Sequence, residues 1–531
     1  MKLFSLLGFC VLSFCAHAQK STVSIALRTQ YYQIGLKTSI HYYDSLIQDW
    51  VGQRSRNEIN ESVFLNQYHL LENQYAVQQE RVAAYALHLA TKPDQKPSKI
   101  AKNAIKILNQ NNLKAAIGLL DAQVRTKACS IADYLLLVEL YELSGAYEKA
   151  QQCTEMALKQ LGDDASLLGL YARTLSINGR DSMAISIQKN ILQTQTDTSA
   201  IVAAKMDLSQ YYLHANNLFD AQSALIEAQY LLDQVVVKDE QWTIEKANLL
   251  SRLADIQLAK NDIDNAFVQA KNSVQLFEQL SAKGDYSFRE ADMALSFWTL
   301  ARVYRIAGAM KESDSVYQKT IPLYENLTVT YSELYQPLLV KVLDEYGLLL
   351  QWFDQNKAFE QLLRRTAEMR KDLMQLHNPF AAMAYAKNEQ ALAQKLVNVD
   401  VKVLLAEEHW LLAKSVLEVL YVKHPMLAGD DLCACLFKLG GIKMAFKKDV
   451  EALSIFEQSL SIKERLYRLA PSLHKKSLMD LLTQTATLNA KNKKYETAIE
   501  QLQRAQVFAQ DLGETKLSEQ IAQYKLELLK K

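Results

Sequence analysis

The side chains that most often carry catalysis or bind metals are scattered singly along this sequence. There are nine histidines in 531 residues. His409 follows Glu407 and Glu408, but no second histidine stands four residues away, as a zinc-binding helix would need. Glycine motifs for phosphates, dinucleotides or a nucleophilic serine are also absent. We therefore expect no catalytic residue, no metal site and no cofactor; an active site assembled from distant parts of the chain stays open.

The cysteines are too few for a disulfide framework. Cys10 and Cys15 fall in an apolar leader described below, which leaves Cys129, Cys153 and the pair at 433 and 435. Side chains two residues apart on a helix diverge, so that pair cannot form a bond or chelate jointly. Buried, unpaired thiols are expected.

The composition favours helix and gives little support to charged macromolecular partners. Fifteen glycines and seven prolines fall well below the roughly 12% that globular chains use. Sixty basic residues balance fifty-nine acidic ones, for a net charge of +1. Proteins that bind nucleic acid concentrate Lys and Arg, so no nucleic-acid partner is expected.

The first eighteen residues have the features of a secretory signal. Lys2 is followed by a short apolar run, and residues 16–18 give a small–x–small pattern before Gln19. The run is too short for a comfortable membrane span, and no later stretch is long enough for one. We expect cleavage near Ala18 and a soluble mature protein in the periplasm, secreted or at the cell surface. An uncleaved anchor and a lipoprotein at Cys15 are the alternatives; Phe14 is bulky for a lipidation site.

A repeated pattern of small residues runs through most of the chain. Ten small or apolar positions are predicted in the first helices of successive hairpins: Ala104, Val138, Ala172, Ser209, Ala254, Ala301, Gly347, Ala393, Gly440 and Ala486. Twelve residues later, in the second helices, come Ala116, Ala150, Ala184, Ala221, Ala266, Ser313, Phe359, Leu405, Ala452 and Ala498. Small columns beside large apolar residues are typical of closely packed helices. Gly145 suits the left-handed turn between two helices of a hairpin.

The first steps of this pattern are 34 residues, the period of the tetratricopeptide repeat (TPR). The sequence resembles that family over about residues 97–510. The resemblance implies an all-α, right-handed superhelical solenoid of antiparallel helix hairpins. The family's early tryptophan is mostly absent, and Phe359 and Leu405 break the second column.

Later repeats lengthen to 45–47 residues, which predicts longer helices. Pro337, Pro379, Pro425 and Pro471 are expected where one hairpin ends and the next begins. His377-Asn378-Pro379 and His424-Pro425 resemble the linker of the long-repeat variant in kinesin light chains.

These patterns divide the chain into five parts. They are a signal peptide (1–18), an N-terminal helical region (19–96), short-period repeats (97–230), long-period repeats (231–512) and a capping helix (513–531). The N-terminal region carries Val63, Leu70 and Leu71 at helical spacing and ends at a polar stretch over residues 91–98. The capping helix has Leu517, Ile521 and Tyr524 on one face.

A candidate partner-binding site lies on the first helices, which line the concave surface in this family. Trp298, Arg302 and Arg305 share one helix face by their spacing. Lys341, Asp344 and Glu345 follow in the next hairpin. An exposed tryptophan beside arginines suits a peptide with a carboxylate or an aromatic group; the alternative is that Trp298 belongs to the core. The carboxylate clamp of some family members is not expected, since its positions hold Leu135/Glu139, Gly169/Arg173 and Met206/Gln210.

Three functions remain at this point. The first is an exported, non-enzymatic scaffold that holds a protein or peptide in its groove. The second is a helical-repeat protein that senses a ligand or peptide, although no signalling domain follows the repeats. The third is an enzyme built on a helical toroid, which would need a cluster of carboxylates or histidines.

Overall fold

The structure is a computed structural model. It describes residues 25–72, 75, 98–108, 110, 112–126, 129–236, 238–282, 290–330, 332–374, 378–398 and 403–530. Side chains are described from Ile40 onward, except at 126, 241, 330, 333, 334 and 398. The predicted signal peptide, Cys10, Cys15, His377 and nearly all of the polar stretch at 91–98 lie outside these residues.

All regular secondary structure in the described ranges is helical, which confirms the all-α prediction. Helix α2 covers residues 61–72. The other helices are α1 (Ile25–Ser55), α3 (Lys99–Leu108), α4 (Leu113–Thr126), α5 (Ile131–Leu143), α6 (Tyr147–Leu161), α7 (Ala165–Ile177), α8 (Asp181–Thr194), α9 (Thr198–His214), α10 (Leu218–Asp233), α11 (Glu240–Ala259), α12 (Ile263–Ser281), α13 (Glu290–Ile306), α14 (Met310–Thr330), α15 (Ser332–Trp352), α16 (Asn356–Met374), α17 (Pro379–Asn398), α18 (Val403–Lys423), α19 (Pro425–Ala445), α20 (Asp449–Leu469), α21 (Pro471–Lys491), α22 (Tyr495–Asp511) and α23 (Thr515–Leu528).

In the hairpins α3–α4 to α13–α14 and α17–α18 to α21–α22 the odd-numbered helix comes first and the even-numbered helix second. By their place in the repeat we also count α15 as a first helix and α16 as a second helix. Tight turns join the two helices of a hairpin, and several place one residue in the left-handed region, where glycine is favoured. The predicted turn at Gly145 has φ 74°, and Gly179 repeats it with φ 75°. Helices of 13–15 residues in α5–α8 give way to helices of 19–21 residues in α14–α20, as the longer period predicts.

The predicted columns of small residues are the contact lines between helices. All ten first-helix positions are buried. Two hydrogen bonds join the columns directly: Ser209 Oγ donates to the Ala221 carbonyl and Ser313 Oγ to the Ala301 carbonyl, each over 2.8 Å. The predicted second-helix column is displaced by one residue at Leu405. Leu405 is only half-buried, and Ala406 takes the fully buried position. The tetratricopeptide-like packing is therefore confirmed, while the hand of the superhelix stays a prediction.

Two other expectations from the sequence need correction. Pro379, Pro425 and Pro471 begin helices as predicted, but Pro337 lies inside α15, which already starts at Ser332. In α2, Val63 and Leu70 face solvent, because Phe64, Tyr68 and Leu71 are the buried residues.

The chain divides into two compact units. Unit 1 comprises Met1–Ser39 and Gln74–Gln355, and its described hairpins run from α3 to α14, followed by α15. Unit 2 comprises Ile40–Asn73 and Asn356–Lys531. It contains α16, three hairpins (α17–α22) and α23, whose Ile521 is buried against the last hairpin as the capping prediction requires.

Residues 40–72 contact the C-terminal part of their own unit through polar groups at two proline linkers. Asp44 lies 3.0 Å from His424 Nε2, and Gln48 Nε2 donates to the Lys423 carbonyl over 2.7 Å. Arg54 Nε donates to the Leu469 carbonyl over 2.9 Å. Glu61 accepts from the backbone N–H and the hydroxyl of Ser472, each over 2.7 Å.

Candidate binding surface

In unit 1 the first helices of successive hairpins contact one another. Examples are the pairs α3 and α5, α5 and α7, and α11 and α13. First helices therefore form a common face, which we call the first-helix face. The position one residue after the small column carries a charged or polar side chain in five successive first helices: Glu139, Arg173, Gln210, Asp255 and Arg302. This face is polar because of that repeated position.

Arg302 occupies the centre of a charged cluster that joins three first helices. Its Nη1 lies 2.8 Å from Asp255 Oδ1 on α11, and its Nε lies 3.7 Å from Glu345 Oε1 on α15. The hydroxyl of Thr299 also donates to Asp255, over 3.2 Å. Arg302 is 9% exposed, so the guanidinium is held inside the protein by two carboxylates.

Trp298 is 1% exposed, and the expectation of an exposed tryptophan is wrong. Its indole Nε1–H donates to Glu345 Oε2 over 3.0 Å, and its ring meets Tyr324 edge-on at 5.8 Å between centroids. The same carboxylate oxygen accepts from the Tyr317 hydroxyl over 2.8 Å. The spacing of residues 298, 302 and 305 identified one helix face correctly, but large neighbours on α14 and α15 close over that part of it.

Burial sets the electrostatics of this cluster. It raises the pKa of Asp255 to about 6, although Arg302 and Thr299 favour the ionised carboxylate. Burial also raises the pKa of Tyr317 well above its ordinary value, and the adjacent Glu345 acts in the same direction. At neutral pH the cluster therefore contains a buried carboxylate paired with arginine and a neutral tyrosine that donates a hydrogen bond.

The remaining candidate residues are more accessible. Arg305 and Lys341 are half-buried, and Asp344 is exposed. Arg305 Nε has no hydrogen-bond partner in the structure. Partner binding by Arg305, Lys341, Asp344 and Glu345 stays a prediction, whereas the positions of Trp298 and Arg302 give them a structural role.

Sequence reasoning missed the part of the first-helix face nearer the N-terminus. Arg173 on α7 pairs with Glu142 on α5 over 2.9 Å. On the next pair of first helices, Ser176 lies 2.9 Å from His214 Nδ1. Each of these residues lies one, four or five residues after a small-column position. The repeat pattern could therefore have identified them.

Two buried oxygens of α11 are left without a hydrogen bond on this face. They are Asn248 Oδ1 and Asp255 Oδ2, in residues that are 2% and 8% exposed. The two residues are seven apart and so lie on one side of the helix. Gln210 Oε1, on the adjacent α9, is also without a partner. Buried acceptors are normally satisfied, so these three oxygens are exceptions on this face.

The hairpin geometry and the paired small columns together decide the type of fold. The fold is a stack of antiparallel helix hairpins of the tetratricopeptide type. No family model and no curated protein matches it. Similar solved structures include the C-terminal part of a TPR protein from Cytophaga hutchinsonii, at 13% identity over 52% of this chain and 94% of that chain (TM-score 0.32). A TPR protein from Parabacteroides merdae is 13% identical over 52% and 97% (0.35). A signal-transduction ATPase with a TPR sensor from Pyrococcus horikoshii is 12% identical over 76% and 62% (0.44).

Other reactive side chains of this tetratricopeptide-type protein are in structural positions. Cys129, Cys153, Cys433 and Cys435 are buried and unpaired. Burial raises the pKa of Cys153 to about 12 and that of Cys433 to about 11, so neither forms a thiolate near neutral pH. His409 contacts Glu389 over 2.6 Å inside unit 2.

Within the described ranges, no group of three or more His, Cys, Asp or Glu is placed to hold a metal ion. None of the helices in those ranges is long and apolar enough to cross a membrane.

Proposed function

We propose that this chain is an exported, non-enzymatic scaffold that binds a protein or peptide on the first-helix face of unit 1. The observation that carries the proposal is the set of polar side chains repeated along that face, with buried acceptors left free at Asn248 and Asp255. A surface that served only to pack helices would satisfy or replace such groups, because leaving them unbonded costs stability.

An extended peptide fits this arrangement better than a small apolar ligand. Its polar backbone groups are spaced along the chain, and the polar side chains of successive first helices are spaced along the face. Ion pairs between neighbouring first helices, such as Glu142 with Arg173, hold the charged side chains in fixed orientations. Such preorganisation lowers the entropy lost on binding.

A second candidate function is ligand or peptide sensing. Asp255, Arg302 and Glu345 connect three successive first helices through one guanidinium. A ligand that competed for Arg302 would change the contacts among α11, α13 and α15 together. Ligand binding would then change the positions of α11, α13 and α15 relative to one another, and this movement would be the signal.

Export follows from the leader pattern at residues 1–18. Mass spectrometry of the protein isolated from its native cell should find an N-terminus at Gln19. A diacylated N-terminal cysteine at position 15 would instead make it a lipoprotein, and an intact leader in the purified protein would contradict cleavage.

The binding proposal is tested by photo-crosslinking from defined positions. A photoreactive amino acid at Asp344 or Arg305, on the first-helix face, should give a discrete adduct with a protein or peptide of the extracytoplasmic fraction. The matched control positions are the exposed residues Lys271 and Lys319 on the second helices α12 and α14. Equal labelling from all four positions, or adducts only from the controls, would contradict binding at this face. The mass of the adduct separates a protein partner from a short peptide.

A further inference from the structure

The outer face of α18 is apolar, unlike that of the neighbouring second helices in unit 2. Nine residues of α18 are exposed, and five of them are large and apolar: Leu404, Leu411, Leu412, Val419 and Val422. On α16 the exposed residues are all polar, and on α20 Val450 is the one apolar member. An apolar face on one helix among polar equivalents requires its own explanation.

These residues form a stripe along the helix. Leu404, Leu411 and Val422 are separated by seven and eleven residues, which places them on one side of an α-helix. Leu412 and Val419 lie beside them, and Ser415 is at the middle of the stripe. This spacing is that of the contact seam between two paired helices.

The stripe is not used by the hairpin packing of unit 2. A different side of α18 packs into the core through Ala406, Trp410, Ala413 and Leu417, which are buried with residues of α17 and α19. The helix is thus apolar on two sides, which is typical of one that has partners on both.

We propose that a second copy of this chain covers the outer face of α18, with the two α18 helices antiparallel about a two-fold axis near Ser415. Charge complementarity supports a second copy as the partner. Glu408 lies seven residues before Ser415 and Lys423 eight residues after it. An antiparallel pair therefore brings Glu408 of each copy next to Lys423 of the other, and the small Ser415 allows the helices to approach at their crossing point.

The charges in and around the stripe also argue for a protein rather than a membrane surface. Glu408 lies within the stripe, and Glu418, Lys414 and Lys423 lie at its edges. Helices that lie on membranes carry mainly Lys and Arg next to the apolar face. A two-fold contact makes this mixed edge complementary to itself, as isologous interfaces require.

The first experiment measures mass in solution. Sedimentation of the mature chain should show a monomer–dimer equilibrium between about 0.1 and 100 μM. Leu411→Glu with Val419→Glu should weaken dimerisation at least about 100-fold, since each change removes an apolar contact and adds a charge to the interface. Val450→Glu, on the outer face of α20, is the control and should leave the dimer intact. A wild-type chain that stays monomeric at the highest concentration, or a double variant that still dimerises, would overturn the proposal.

A second experiment locates the axis. Ser415→Cys should give a disulfide-linked dimer under mild oxidation, because a residue on a two-fold axis faces its own copy. Ser461→Cys on α20 should not. The thiols of Cys129, Cys153, Cys433 and Cys435 are buried, so these four do not compete. A monomeric chain that instead binds vesicles of anionic lipid through α18 would assign the face to a membrane and reject the second copy.

Discussion

At the scale of single residues, Trp298 and Arg302 owe their structural role to burial, being 1% and 9% exposed. The small-column alanines and glycines were predictable because two helices can approach closely only where the residue between them has a small side chain or none. Trp298 and Arg302 were not, since spacing shows that residues share a face but not whether neighbouring helices close over it. Tyr317, Tyr324 and Glu345, which surround Trp298, lie on α14 and α15. A sequence pattern within α13 contains no information about them.

Arg302 is expected to be structural, and replacing it should destabilise unit 1. Arg302→Met leaves Asp255 as a buried carboxylate without its cation and removes the charge partner of the half-buried Glu345, at a cost of about 3–5 kcal/mol. Urea denaturation followed by circular dichroism measures the loss. Lys319→Met, which removes an exposed ion pair with Glu278, is the control and should change stability by less than about 1 kcal/mol. Equal stability of the two variants would show that the Arg302 cluster is not a structural centre.

At the scale of helices and linkers, the repeat period predicted the hairpins, and the two steps in period predicted which helices are longer. The placement of Pro337 was wrong because proline is tolerated after the first turn when the local geometry adapts. The column of charged residues beside the small column was visible in the sequence. A comparison of that position across all repeats reveals the column, whereas one hairpin taken alone does not.

Two adjacent glycines in α19 provide a matched test of helix contact. A Cβ atom at Gly440 would lie 2.7 Å from the Phe456 ring, whereas one at Gly441 would have nothing within 4 Å. Gly440→Ala should therefore overpack the contact and destabilise by about 1–3 kcal/mol. Gly441→Ala should stabilise by roughly 0.5–1 kcal/mol, because it reduces the entropy of the unfolded chain without a clash. Thermal denaturation of both variants checks the prediction, and the same sign for the two changes would contradict the packing of α19 on α20.

The proline linkers of unit 2 differ in how the next helix is capped. Asn378 caps α17 itself, accepting from the N–H groups of Phe380 and Ala381. The N-cap residues of α19 and α21, His424 and Ala470, make no such side-chain bond. At α21, Glu61 supplies a carboxylate to the Ser472 N–H. An anionic acceptor at a helix N-terminus also interacts favourably with the helix dipole.

Removing that distant cap should therefore weaken α21. Glu61→Ala is expected to cost about 1 kcal/mol, the usual value of an N-cap side chain. It should also speed amide hydrogen exchange at Ser472. Glu58→Ala is the control, since the Glu58 carboxylate is paired with the exposed Arg56 and caps no helix N-terminus in the described ranges. Unchanged exchange at Ser472 in the Glu61 variant would show that the cap contributes nothing in solution.

At the scale of the whole molecule, this chain departs from the usual rule that a solenoid repeat contacts only its neighbours. Residues 40–72 contact linkers that lie 375 to 415 residues later in the sequence. Helical periodicity predicted helices in this region but not their partner. A contact between distant segments leaves no trace in local spacing, so it could not be predicted from one sequence.

Residues 40–72, which belong to α1 and α2, should therefore stabilise the C-terminal repeats. Phe64 is fully buried in α2, and Phe64→Ala is expected to cost about 3–5 kcal/mol. Because α1 and α2 contact the linkers before α19 and α21, the substitution should raise hydrogen exchange in those two helices as well as in residues 40–72. Phe277→Ala is a matched control, since Phe277 is equally buried on α12 of unit 1 and its loss should raise exchange first in α11, α12 and α13. If exchange in the Phe64 variant rose within residues 40–72 alone, those residues would be an appendage to unit 2, and the long-range contacts would contribute little to its stability.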